Sequence, residues 1–126
     1  MPAQHHQPWK TGAIWPEVID RNCQPGEVVL HLHLSARLFQ FQGHFPNAPI
    51  LPGIAQLDWA VKFGRQHFEI ERPVASVVKL KFHKVVRPNS KLCLGITYKA
   101  GTDDLAFRYF DEESRFSTGL IRFRAP

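Results

Sequence analysis

His44, Gly53 and Asp58 are the residues of this chain whose types and spacing can do chemistry. They lie in one stretch, "HFPNAPILPGIAQLD", residues 44 to 58, in which Pro46, Pro49 and Pro52 recur every third position and Asp58 follows His44 by 14. Histidine is the side chain best suited to taking a proton near neutral pH. Pro52 and Gly53 open an apolar run of helical spacing, so the amide N–H of Gly53 and its neighbours should be unpaired donors at the positive end of a helix dipole, where they stabilise a developing oxyanion. A carboxyl group in an apolar setting can serve as the complementary acid. These are the parts needed to remove a proton alpha to a carbonyl and expel a group from the beta carbon. Plainer roles stand beside this one: His44 as a capping or packing side chain, and Asp58 as half of an i, i+4 ion pair with Lys62. The proline spacing also suits a polyproline recognition motif, against which the surrounding aromatics argue.

The elements that must position these residues follow from periodicity. "QPG" at 24 to 26 marks a turn, and "EVVLHLHLS" alternates after it, with Val28, Leu30, Leu32 and Leu34 on one face and Val29, His31 and His33 on the other. From Arg37 to Pro52 there is no sustained period; a loop is expected there, pinned to the core by Phe39, Phe41 and Phe45. Ile54, Leu57, Val61, Gly64 and Phe68 then follow helical steps, widened by Trp59 and Ala60, with Asp58, Lys62 and Arg65 as a polar stripe. Strands are predicted over 74 to 86, 91 to 99, 105 to 110 and 115 to 124, joined by "RPNS", "AGTDD" and "DEES" turns. The expected architecture is α+β: one strand, a loop and a buried helix, then a four-strand meander, forming an antiparallel sheet wrapped around one long helix. One domain spans 1 to 126, with residues 1 to 24 an irregular N-terminal arm.

Composition narrows the function classes. The 126 residues are 44% hydrophobic and 21% charged, values of a globular chain able to bury its own core. Cys23 and Cys93 are the only cysteines and the N-terminus lacks the pattern of a secretory signal, so free thiols in a cytoplasmic protein are expected. No apolar run approaches the ~18 residues of a membrane span. The net charge of +5 favours an acidic partner; Lys79, Lys81, Lys84, Arg87 and Lys91 cluster in "KLKFHKVVRPNSK", which reads equally as the solvated face of a strand pair. Without a recognition motif this charge does not indicate nucleic acid. His31 and His33 share a strand face, but no Cys, Asp or Glu is spaced to complete a metal site; Cys93, between Leu92 and Leu94, reads as a packed thiol.

The stretch "GHFPNAPILPGIAQLDWA" resembles the active-site segment of the bacterial 3-hydroxyacyl-acyl-carrier-protein dehydratases, which share the hotdog fold. His44-Phe45-Pro46, Pro49, Pro52-Gly53 and the acid at 58 carry the resemblance, strongest over 43 to 60 and looser across 26 to 124. It implies that His44 takes the C2 proton of a 3-hydroxyacyl thioester, that Gly53 donates its N–H to the thioester carbonyl, and that Asp58 protonates the departing C3 hydroxyl. The product would be a trans-2-enoyl thioester, formed with no cofactor or metal. The resemblance also implies that the acid comes from a second subunit, making a dimer obligatory, homomeric or paired with another dehydratase. Acyl carrier protein, an acidic partner, would dock among Lys62, Arg65, Lys79, Lys81, Lys84 and Arg87.

Two departures stand out. Asp58 replaces the glutamate of the hydroxymyristoyl-type branch and is closer to the hydroxydecanoyl-type branch. Lys62 stands where the family commonly has glutamine, and a cation beside the carboxylate opposes its use as a proton donor. "LPGIAQLDWA" most resembles a small dehydratase subgroup associated with aryl-polyene and related gene sets. The alternatives are a hotdog acyl thioesterase, or a non-catalytic subunit that supports another dehydratase.

Overall fold

The computed structural model describes residues 14–42 and 48–125. His44, Phe45 and Pro46 therefore lie outside the described residues. Among the described residues six strands form one antiparallel sheet: β1 (Glu17–Gln24), β2 (Glu27–Leu34), β3 (Val74–Phe82), β4 (Ser90–Lys99), β5 (Asp104–Phe110) and β6 (Arg115–Phe123), in the order β1-β2-β4-β5-β6-β3. Among the described residues one α-helix, α1 (Gly53–Phe68), separates β2 from β3 in the chain, preceded by a short 3-10 turn at Phe39–Phe41.

The alternation of β2 is realised residue by residue. Val28, Leu30, Leu32 and Leu34 are buried while Val29, His31 and His33 are half-buried. Leu92, Leu94 and Ile96 of β4, Leu105, Phe107 and Tyr109 of β5 and Ile121 and Phe123 of β6 join them in one core, and α1 adds Ala55, Trp59, Ala60 and Phe63. Gly64 lets the helix come close: a Cβ there would meet the Leu105 side chain at 2.8 Å. The opposite flank of α1, carrying Ile54, Asp58, Lys62 and Gln66, is exposed.

Three expectations are corrected. Residues 17–24 are not part of an irregular arm but a strand, paired with β2 from Glu17↔His33 to Gln24↔Glu27. Its side chains are mostly exposed, so it carries no apolar alternation; its backbone pairing with β2 makes it a strand. The four-strand meander is the second. β3 pairs with β6 at the far edge of the sheet, while β4 lies between β2 and β5. The "RPNS" residues do turn, yet the turn serves β2: the Asn89 N–H donates to the Leu34 carbonyl at 2.7 Å and the Ala36 N–H to Asn89 Oδ1 at 3.2 Å. Third, strand structure ends at Phe82, and residues 83–89 cross from the edge to the middle of the sheet. Three strand spacings, about 14 Å, separate those places.

The loop before α1 is partly pinned as expected. Phe41 is buried in the core, whereas Phe39 is exposed. Its far end is held by the Leu51 N–H, which donates to the Val86 carbonyl at 2.8 Å.

Candidate active site

Pro52 and Gly53 create the feature the sequence promised. Pro52 is the N-cap residue of α1, extended at φ −60 and ψ 148; no side chain caps the helix and its first turn holds no acid. The N–H groups of Ala55 and Gln56 turn back onto the Pro52 carbonyl at 3.1 and 3.2 Å. Among the described residues no acceptor takes the N–H of Gly53. It is an open donor at the positive end of a 16-residue helix, the place where a developing negative charge is stabilised.

A side chain that sequence reasoning passed over stands against it. The ring of Phe82, at the end of β3, lies so close that a Cβ on Gly53 would be 2.5 Å from its Cζ. A larger residue at 53 would have to push this ring aside. Phe82 is 51% exposed, and with Ile54, Leu80 and Val85 it leaves large apolar side chains uncovered on α1 and the β3 end of the sheet. The only hint in the sequence was the phenylalanine among the lysines of "KLKFHK".

Asp58 does not converge on Gly53 within the chain. Five residues of helix turn it about 140° around the axis and carry it about 7.5 Å along. Its carboxylate is half-exposed and lies 3.0 Å from Lys62 Nζ, the i, i+4 pair that was the plainer reading of these residues. The Lys62 ammonium also sits 5.6 Å from the centre of the Trp15 ring.

Beneath the first turn of α1 is a buried polar cluster that the sequence reading missed. Gln56 and Ser117 are both buried. The Ser117 hydroxyl donates to Gln56 Oε1 at 2.6 Å, Gln56 Nε2 donates to the Leu51 carbonyl at 3.3 Å, and the Tyr109 hydroxyl donates to the Gln56 carbonyl at 2.7 Å. Burial pushes the Tyr109 hydroxyl well above the usual phenol range, and the charge of Asp58 adds to the effect. Tyr109 therefore stays a neutral donor. A signal was available: Gln56 is polar yet shares a helix face with Trp59, Ala60 and Phe63.

The basic residues divide. Arg65 is occupied at the C-terminal end of α1, where Nη1 donates to the carbonyls of Ile70 at 3.2 Å and Arg72 at 2.9 Å. Lys84 donates to Ser114 Oγ at 3.0 Å. Lys79, Lys81, Arg87 and Lys91 are exposed.

His31 and Cys93 meet on the outer face of the sheet, bordering an open hollow of about 670 Å³ that includes none of the residues around Gly53. His31 lies 3.4 Å from Cys93 Sγ through Nδ1 and 3.3 Å from Asn22 through Nε2. Burial pushes the Cys93 thiol up, Arg108 partly opposing and Asp111 adding to the rise, so the thiol is protonated and packed as the sequence suggested. No group of three or more metal-ligating side chains occurs among the described residues. None of the described helices is long and apolar enough to cross a membrane.

Residues 20–120 match the family model of the ApeI-like proteins, described as ApeI dehydratase. Among curated proteins, the chain is 31% identical over 87 residues to a 3-hydroxyacyl-[acyl-carrier-protein] dehydratase FabZ of Desulfotalea psychrophila, covering 60% of this chain and 58% of that one. It is 32% identical over 92 residues to the FabZ of Oenococcus oeni, covering 64% and 66%. The chain thus spans about half to two thirds of the length of these relatives. Among solved structures, the dehydratase heterocomplex ApeI:P from Xenorhabdus doucetiae superposes with a TM-score of 0.81 at 32% identity, over 87% of this chain and 99% of that one. An uncharacterized protein from Erwinia carotovora subsp. atroseptica gives 0.75 at 28% identity, over 87% and 96%. The architecture is the hotdog fold, as the resemblance implied.

Proposed function

Since the chain belongs to the ApeI-like dehydratase family, we propose that it removes water from 3-hydroxyacyl thioesters carried on acyl carrier protein, giving trans-2-enoyl thioesters in the biosynthesis of aryl polyenes or related fatty-acid-like chains. The observation that carries this reading is the open Gly53 N–H at the start of α1, nine residues after His44 and five before Asp58. His44 takes the C2 proton of the substrate. The thioester oxygen gathers the resulting charge and is held by the Gly53 N–H. Asp58 gives a proton to the C3 hydroxyl, which leaves as water while the C2–C3 double bond forms.

The acid comes from a second copy of the chain. Helix geometry turns Asp58 away from the Gly53 N–H of its own protomer, and the Asp58 side chain is 49% exposed. The edge strand β3 offers unpaired backbone groups, and the exposed Ile54, Leu80, Phe82 and Val85 lie on or next to α1 and β3. A second copy on this edge buries them and brings its own Asp58 toward the site.

Purified protein incubated with 3-hydroxyacyl carrier protein should yield a product lighter by one water, and full rate in His44→Ala would sink the assignment. Mixing His44→Ala with Asp58→Asn tests the shared site. Both variants are inactive alone, and subunit exchange restores about a quarter of wild-type activity, since half of the dimers are mixed and each holds one intact site. No recovery after demonstrated exchange overturns the shared site.

The Asp58–Lys62 pair favours a second reading, a subunit that supports another dehydratase. The similar structure from Xenorhabdus doucetiae is itself a dehydratase heterocomplex. Turnover by this protein alone, lost in Asp58→Asn, eliminates that reading.

A further inference from the structure

We infer that Gln56 is a positioning residue that aims the Gly53 N–H, with Ser117 as the group that locks it. The inference rests on the proposed role of Gly53 as the oxyanion donor. Gln56 is 2% exposed and Ser117 is fully enclosed. A buried primary amide is costly unless its donors and acceptor are used, and methionine or leucine would fill the same helix position at no polar cost. What the amide does there is specific. Its Oε1 accepts the Ser117 hydroxyl from β6 at 2.6 Å, and its Nε2 donates to the Leu51 carbonyl at 3.3 Å.

The Leu51 carbonyl belongs to the peptide plane that enters Pro52. Pro52 has φ locked near −60, so holding that plane fixes the direction of its Cα–C bond, and the bonds that its carbonyl accepts from the Ala55 and Gln56 N–H groups fix ψ at 148, and with it the direction of the Gly53 N–H. The Leu51 N–H is tied on the other side to the Val86 carbonyl at 2.8 Å. The main chain of Gln56 completes the clamp. Its N–H donates to the Pro52 carbonyl at 3.2 Å and its carbonyl accepts the Tyr109 hydroxyl at 2.7 Å. One residue thus joins the helix entry to β5 and β6, and the donor is held in place before substrate arrives, which is what an oxyanion site requires.

The test uses the full chain and two readouts. In Gln56→Met the shape is kept and the bonds to Leu51 and Ser117 are lost. Its kcat on 3-hydroxyacyl carrier protein should fall about tenfold or more with KM little changed, because a misdirected donor weakens the transition state more than substrate binding. The Gly53 amide resonance in a 15N–1H NMR spectrum should move in the unliganded protein. Gln56→Glu reproduces both bonds while its carboxyl is protonated, so it restores kcat at mildly acidic pH and loses it as pH rises and the buried carboxyl ionises; Tyr109, bonded to the main chain of residue 56, is the titratable group packed beneath it, and Asp58 lies on the opposite, exposed flank of α1. Ser117→Ala, a small change that leaves the fold intact, shifts the Gly53 resonance the same way with a smaller loss of kcat. Wild-type kcat in Gln56→Met, or a loss of kcat with the Gly53 resonance unmoved in both variants, overturns the inference. Absence of dehydration by the wild-type protein overturns the dehydratase reading instead, while the Gly53 resonance still decides whether Gln56 holds the helix entry.

Discussion

At the scale of single residues the ion pair of Asp58 and Lys62 is the clearest departure from the expected chemistry. The pair is half-exposed on both sides, so it is worth little to the fold. Lys62→Gln should change unfolding free energy by no more than about 0.5 kcal/mol, measured by urea denaturation. It should not lower turnover, because an Asp58 released from Lys62 is free to reach a second protomer; a fall in kcat would show that Lys62 assists the reaction. Tyr109 gives a prediction of pH dependence. Its folded-state proton is held more tightly than in the unfolded chain, so the stabilising effect is fully present below the ordinary phenol range of about 10 and is lost as pH rises above it. Urea midpoints measured between neutral and strongly alkaline pH should fall less steeply in Tyr109→Phe than in wild type. At neutral pH the same variant loses about 1 kcal/mol with the bond to the Gln56 carbonyl.

At the scale of elements, α1 and its close contact with β5 decide the packing. Gly64→Ala places a methyl group within 3 Å of the buried Leu105 side chain, so it should cost about 1–3 kcal/mol by overpacking. Leu105→Ala alone leaves a cavity. The double variant should be more stable than the sum of the two single losses predicts, since each change answers the other; strict additivity would mean that helix and strand adjust independently. The helix and β2 were legible because each carries one strong period and a defined stop, as with Pro52-Gly53 at the head of α1. β1 was not legible, since an exposed edge strand needs only a backbone partner. The place of β3 was hidden for a related reason. Consecutive strands pair in most sheets, and nothing local in "HKVVRPNS" records that its turn is bonded to Leu34 rather than to a hairpin partner.

At the scale of the whole molecule, the apolar side chains left exposed around α1 and β3 bear on assembly. Ile54 is 72% exposed on the first turn of α1, so Ile54→Glu should fold normally in the single chain, where the side chain packs against little. Its carboxylate even lies at the favourable end of the helix dipole. In the proposed dimer it buries a charge. Sedimentation velocity should therefore find Ile54→Glu monomeric, with dehydration lost although His44, Gly53 and Asp58 are intact. An unchanged sedimentation coefficient and full activity would place the dimer contact elsewhere.

The sequence by itself determined the α+β class, the helix and its open head, the inward face of β2 and the family to which the motif belongs. The first three rest on local rules, period, punctuation and the spacing of residue types, and the family rests on the resemblance of the motif. Only the tertiary structure decided that Asp58 turns toward solvent and Lys62, that Phe82 from a distant edge strand closes on Gly53, and that Gln56, Ser117 and Tyr109 meet under the helix entry. Each of those facts joins residues far apart in the chain or depends on which side of an element meets solvent. The opening stretch carries the chemistry, but the direction of its donor is set by residues as much as 61 positions away, from Gln56 to Ser117.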